Sequence, residues 1–203
     1  MKKRFIIVIT CFLSMLTFLA AAQTEKGKWL LGGTLGMTGS SNKNTDSKET
    51  QFYLEPGLSY FVQKDLAIGA LVRFGTYNLR QNGMSDTKTS SVYFAPTLRY
   101  YLPIAEKFKF LGQLSIPFGS EKTTLSGGNT VSIKATSVGL EITPAFAFFP
   151  SNKISIEMSL ATIYFKSNKL TTDDVVKTND FGIQVLGSNG AYPSLGFKFH
   201  LGK

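Results

Sequence analysis

A short pattern recurs along this chain and narrows what it can fold into: proline, any residue, leucine or phenylalanine, any residue, then tyrosine or phenylalanine. It occurs as Pro56-Gly57-Leu58-Ser59-Tyr60, Pro96-Thr97-Leu98-Arg99-Tyr100, Pro144-Ala145-Phe146-Ala147-Phe148 and Pro193-Ser194-Leu195-Gly196-Phe197, at intervals of 40, 48 and 49 residues. A self-similar period of this length marks a repeated supersecondary unit. Within each copy the large apolar residues fall on every second position, the period of a strand. Phe52, Leu54, Pro56, Leu58 and Tyr60 share one phase, as do Val92, Phe94, Pro96, Leu98 and Tyr100, and Leu140, Ile142, Pro144, Phe146 and Phe148. The opposite phase carries Tyr53, Glu55, Gly57 and Ser59, then Tyr93, Thr97 and Arg99, then Gly139, Glu141 and Thr143. One face is apolar and the other is small or polar.

Eight steps of roughly 3.3 Å each make an apolar strand about 26 Å long. A tilt of about 40° brings its height to about 20 Å, close to the roughly 25 Å lipid-facing band of a membrane barrel. Proline removes a ladder hydrogen bond, so a bulge or widened pairing is expected at each copy.

The first residues set the compartment. Lys2, Lys3 and Arg4 precede an apolar run from Phe5 to Leu19 that closes on Ala20-Ala21-Ala22-Gln23, the three parts of a secretory signal peptide. Residues 1–22 are therefore expected to be removed and 23–203 to form one domain; an uncleaved anchor helix is the alternative. Cleavage removes Cys11, the only cysteine of the 203 residues, which excludes disulfides and thiol catalysis from the mature protein. The net charge of +9 falls to +6, carried mainly by lysines in polar connections. A solvated surface or anionic lipid headgroups would accommodate that charge, whereas nucleic acid is not expected as a partner of an exported chain.

Along the mature chain, strands are expected over residues 29–37, 52–61, 66–74, 91–101, 108–118, 131–149, 154–165 and 181–201. Long polar loops are expected at 38–50, 78–89, 119–130 and 166–180, and short turns at 62–65, 103–107 and 150–153. An even strand number with long and short connections alternating is the topology of an outer-membrane barrel, with turns in the periplasm and loops outside. On these features the chain resembles the small eight-stranded outer-membrane barrels of the OmpA and OmpX type and the broader outer-membrane beta-barrel domain family. The resemblance implies an all-β, antiparallel up-and-down transmembrane barrel in a Gram-negative cell envelope. It further implies outer-membrane lipid as the surrounding partner, and the barrel assembly machinery as a partner during biogenesis. Such barrels typically end in an aromatic residue; here Phe199 is followed by His200-Leu201-Gly202-Lys203. A rival resemblance is the Gly-x-Trp signature of lipocalins, matched by Gly27-Lys28-Trp29, under which the apolar phase would point inward.

No catalytic, cofactor or metal site is expected. The single histidine, His200, lies near the C-terminus and so at the periplasmic rim, where Ser-His-Asp and Cys-His mechanisms lack their base. Asp173, Asp174 and Asp180 lack calcium-site spacing, and Asn82-Gly83 and Gly127-Gly128 are turn formers. The inward phase instead carries Glu55, Glu141 and Glu157 with Arg73, Arg99 and Lys198. An eight-stranded interior is just wide enough for side chains to fill, so these residues are expected to form a closed, structural charge network. Counting outward from the 62–65 turn sets Glu55 opposite Arg73. The leading expectation is a non-catalytic monomeric barrel whose four loops meet an extracellular ligand or serve envelope structure. A conduit for small or apolar solutes, and a secreted lipocalin-like carrier, are the alternatives.

Overall fold

The computed structural model describes residues 23–43, 45–83, 85–127, 129–171, 175–185 and 194–202. The expected signal peptide, the Pro193 motif position, Gly128, Asp173 and Asp174 lie outside them. The elements are β1 (Trp29–Asn42), β2 (Ser47–Gln63), β3 (Leu66–Gln81), β4 (Asp86–Ala105), β5 (Phe108–Ser115), β6 (Phe118–Gly127), β7 (Asn129–Ser151), β8 (Ile154–Ser159), β9 (Ala161–Thr171), β10 (Val175–Val185) and β11 (Leu195–Leu201). They make eight staves, because β5 and β6 are two halves of one, as are β8 with β9 and β10 with β11. Every pairing is antiparallel, and β11 closes the ring by pairing with β1 from Trp29↔Leu201 to Leu35↔Leu195 and with β8 on its other side.

The apolar phase faces outward on every stave. Leu31, Leu35, Phe52, Leu54, Leu58, Phe94, Leu98, Ile142, Phe146 and Phe197 are all exposed, while their chain neighbours Leu30, Ser59, Tyr93, Thr97, Arg99, Ala145 and Lys198 are buried. Trp29 too points outward, beside Tyr60 with ring centroids 4.9 Å apart and the rings tilted by 55°. This overturns the lipocalin-like carrier, whose apolar phase must line the interior. A continuous apolar belt has no stable place in water but matches hydrocarbon, where a closed ladder satisfies every backbone group.

The expected loops are corrected. At 38–50, 78–89, 119–130 and 166–180 the strands run on as paired ribbons, with register continuous to Asn42↔Ser47, Leu79↔Thr87, Gly127↔Asn129 and Val175↔Thr171. Polar composition suggests loop at these places, but serine and threonine hold a ladder in water as well as in lipid. The apolar alternation stops because the surrounding solvent changes, while the pairing continues. Tight reversals remain, eased at Gly83 by φ +76°.

The prolines interrupt pairing on one side only. Opposite Pro56 the β2–β3 pairs lapse between Leu54↔Phe74 and Gly57↔Leu71 without a change of register. Pro96 and Pro144 instead accept from Ile116 and Leu160, the residues at which the neighbouring staves break. At Leu160 the register shifts, from Ala145↔Ser159 to Ile142↔Ile163. The outward phase accordingly passes from even positions in β8 to odd ones in β9, with Met158 and Phe165 both exposed.

Glycine lets the inner wall pack. Gly36, Gly119 and Gly182 lie opposite Tyr53, Tyr93 and Tyr164, whose rings occupy the space a Cβ would need. Aromatic cover of a strand glycine is a recognised means of pinning register in curved sheets.

Candidate functional site

Because side chains alternate across each stave, the inward phase converges on one lumen, and its character changes along the axis. At the end carrying the short turns, Phe61, Tyr101, Phe149, Leu30 and Leu111 are almost completely buried and form a floor with Ala67 and Ala147. His200 packs into it, with ring centroids 5.4 Å from Phe149 and 6.0 Å from Phe61. Residues 23–28 fold beneath: the Asp65 amide donates to the Thr24 carbonyl at 2.9 Å, and the Gly27 amide to Phe61 at 2.9 Å. Lys109 Nζ donates to Thr24 Oγ1 at 2.5 Å and to Asp65 Oδ1 at 2.6 Å, tying the N-terminal segment to the first turn.

Above the floor, Arg99 donates to Glu157 Oε2 at 2.6 Å, to Gln113 Oε1 at 3.0 Å and to the Tyr101 hydroxyl at 3.0 Å. Tyr101 in turn donates to Glu157 Oε1 at 3.0 Å, so both carboxylate oxygens are engaged. Further up, Arg73 Nε donates to Glu55 Oε2 at 2.5 Å, and its two terminal nitrogens reach the two oxygens of Glu141 at 3.0 Å each. A fork of donors against a planar carboxylate is the geometry that suits arginine. Toward the far end Lys166 pairs with Glu121 at 2.8 Å, and the Tyr93 hydroxyl lies between Glu121 and Ser137.

The six residues singled out from sequence all face the lumen, but not as one network. Arg73, Glu55 and Glu141 form one cluster, and Arg99 with Glu157 another. Lys198 is buried, with Thr34 Oγ1 3.5 Å from its ammonium. Sequence reasoning misses Tyr101, Gln113, Lys109, Asp65, Glu121 and Lys166. Lys109 and Gln113 are legible from the inward phase of their strand. Glu121 and Lys166 are hidden because their segments have the composition of loops. Together Arg73, Arg99, Lys109, Lys166 and Lys198 set five cations against the five carboxylates of Asp65, Glu55, Glu121, Glu141 and Glu157, with Asp180 also lining the cavity at its far end.

The clusters do not fill the interior. A cavity of about 790 Å³ runs from Leu30 and Leu111 on the floor up to Asn168 and Asp180. Its wall combines the Glu55, Arg73 and Glu141 cluster and the Arg99 and Glu157 pair with Leu30, Leu71, Leu111 and Leu160. His200 Nε2 lies 2.9 Å from Ser155 Oγ, and both side chains are buried in the floor.

A closed ring of eight tilted staves, apolar outside and polar inside, is the arrangement of a bacterial outer-membrane barrel. The sequence matches the family described as outer membrane protein beta-barrel domain over residues 8–187. The chain belongs to that family. It is an integral protein of the outer membrane, with lipid around its apolar belt. Among solved structures it is similar to the outer membrane protein OprG from Pseudomonas aeruginosa, at 15% identity and TM-score 0.45, covering 90% of this chain and 99% of that one. Neisserial surface protein A aligns at 15% identity and TM-score 0.44, covering 86% and 97%. The attachment invasion locus protein Ail of Yersinia pestis aligns at 19% identity and TM-score 0.37, covering 87% and 99%. Comparison with curated proteins gives no match.

Proposed function

We propose that this barrel is non-catalytic and non-conducting, and that it acts at its loop end, in surface interaction or envelope structure. The observation that supports this is the floor. Phe61, Tyr101 and Phe149 are fully buried across the turn end, with Gln23 and Thr24 beneath them. The cavity above is then a cup, and a solute entering from the loop end meets close-packed aromatic rings. The charge clusters of Glu55, Arg73 and Glu141 and of Arg99 and Glu157, with Lys198, are structural in this reading: balanced charges hold the staves in register without attracting a particular ion. The four polar ribbons are the surface offered to an extracellular ligand. In the same reading residues 1–22 are the cleaved signal peptide, and the barrel assembly machinery inserts residues 23–203 as a monomer.

The cavity favours one second reading, a gated conduit in which the floor moves. Planar-bilayer recording distinguishes the two. The parent protein is expected to give no stable conductance steps, and Phe61→Ala with Tyr101→Ala to give them. Steady conductance by the parent would replace the cup with a pore.

A further inference from the structure

The inward cations are matched by carboxylates, which leaves the protein's excess positive charge to the outside, where it follows a pattern. Take the outward apolar residue at which the alternation toward the loop end turns polar on six staves: Phe52, Val92, Phe118, Val138, Phe165 and Phe181, all exposed. The next outward positions are Thr50, Ser90, Ser120, Thr136, Ser167 and Asn179, and the ones after those are Lys48, Lys88, Lys122, Lys134, Lys169 and Lys177. Each stave therefore passes from hydrocarbon-facing residue to hydroxyl or amide to lysine in four residues. Four residues rise roughly 13 Å along the strand, or about 10 Å in height at a tilt of about 40°. Arg80 adds a seventh cation one step further out on β3, beyond Phe74, Thr76 and Asn78.

The cations also face one another. Lys48↔Arg80, Lys122↔Lys134 and Lys169↔Lys177 are directly opposed pairs on adjacent strands. Opposed side chains start about 4.5 to 5.5 Å apart, and like charges there are destabilising. Asp86, 3.6 Å from Arg80, is the one carboxylate on an outward strand position at this end among the described residues. The described ion pairs give no carboxylate to the six lysines, all of them exposed. At the turn end the outward strand positions hold Trp29, Tyr60, Tyr100, Phe108 and Phe148 and, among the described residues, no cation.

A self-repelling ring built at one depth on one side of the belt calls for a polyanion at that depth. We infer that the ring is a docking surface for phosphate-bearing anionic lipid in the outer leaflet. In this arrangement the acyl chains lie on the apolar belt, the hydroxyl ring faces the headgroup's polar region, and the lysines bind its phosphates. Lys122, Lys134, Lys169 and Lys177 lie on consecutive staves β6, β7, β9 and β10 and form the densest part. Staves about 4.8 Å apart make that patch about 15 Å wide, enough for the phosphates of more than one headgroup. A soluble polyanion would satisfy the charges but not explain their fixed distance from the hydrocarbon edge.

The inference rests on the outer-membrane reading, so the test uses the full mature barrel in vesicles, where failure to insert would be seen separately. Lipid retained by the protein is measured after extraction from phosphatidylcholine vesicles with and without lipid A. The parent is compared with a variant carrying Lys122→Ser, Lys134→Ser, Lys169→Ser and Lys177→Ser. A cation near an anionic surface contributes roughly fivefold in partition, about 1 kcal/mol, so the variant is expected to lose lipid A enrichment at least tenfold. The corresponding four Lys→Arg changes are expected to keep it, and raised salt to weaken it. Stability supplies a second readout, since the serine variant is expected to exceed the parent in phosphatidylcholine, where repulsion is unrelieved, and to fall below it with lipid A. Should the serine variant not fold, Lys122→Gln with Lys134→Gln is expected to show the same inversion at smaller size. Equal enrichment by parent and serine variant overturns the inference. So does binding of inorganic polyphosphate through these lysines without any enrichment of lipid A.

Discussion

The pair Arg99 and Glu157 gives the sharpest test of the lumen. Their side chains are 6% and 8% exposed and 2.6 Å apart, with Tyr101 and Gln113 completing the cluster. Removing one partner of a buried pair typically costs about 3 to 5 kcal/mol, because the other charge is left without compensation; replacing both with groups of similar volume is often nearly neutral. Glu157→Gln retains an oxygen for the Tyr101 hydroxyl but leaves the guanidinium unpaired, so a loss of about 3 to 5 kcal/mol is expected. Arg99→Met leaves the carboxylate with Tyr101 and with buried Lys198 on the adjoining strand, which places its loss toward the lower end. The double variant strands neither charge and should cost no more than either single one, giving a coupling energy of at least about 3 kcal/mol, at the upper end of the usual range. Lys64 and Glu25 are the control: 3.7 Å apart but 69% and 42% exposed, they should couple by less than about 1 kcal/mol. Urea unfolding from lipid vesicles, read by barrel fluorescence and heat-modifiable mobility, measures all of these. Additivity of Arg99→Met and Glu157→Gln within about 0.5 kcal/mol would show that the two side chains do not meet, and the closed cluster would have to be abandoned.

Other expectations follow from sidedness and packing. Leu54→Arg, on the lipid face, should cost roughly 2 to 4 kcal/mol in bilayers, and an unchanged unfolding midpoint would reverse the phase assignment. Protease applied to whole cells should nick within 38–50, 78–89, 119–130 or 166–180, since exposed polar connections are the preferred sites. Cuts at 64–65, 106–107 or 152–153 would invert the orientation. Gly119→Ala places a Cβ 2.1 Å from the Val92 carbonyl oxygen, whereas Gly112→Ala meets nothing within 4 Å. The first should destabilise by about 1 to 3 kcal/mol and the second by less than about 0.5; equal effects in a melting comparison would show that backbone approach at Gly119 is not tight.

Much of this barrel is legible in the order of its residues. Period-2 alternation sets which residues meet lipid, because a strand allows only two faces, and the short connection after Phe61 sets the β2–β3 register that puts Glu55 across from Arg73. The ends of the strands are not legible. Alternation is an imprint of two different solvents on two faces, and it vanishes where Thr38 or Lys166 leaves the hydrocarbon with water on both sides, although the ladder goes on. Nor does the sequence show that Leu160 is a bulge, since the phase change there looks the same as a pause in the pattern.

Partnership across the lumen belongs to the closed fold. That Arg99 meets Glu157 and Arg73 meets Glu141 depends on how far each stave has slipped relative to its neighbour by the time the ring closes. That slip accumulates over all eight pairings, and no local stretch encodes it. The lysine ring illustrates both sides. The spacing from Phe52 to Lys48 or from Phe165 to Lys169 is present in the sequence, one strand at a time. Only the tertiary structure brings those lysines to one height and sets Lys122 against Lys134, because a common tilt and register turn separate distances along a chain into a single depth in the membrane.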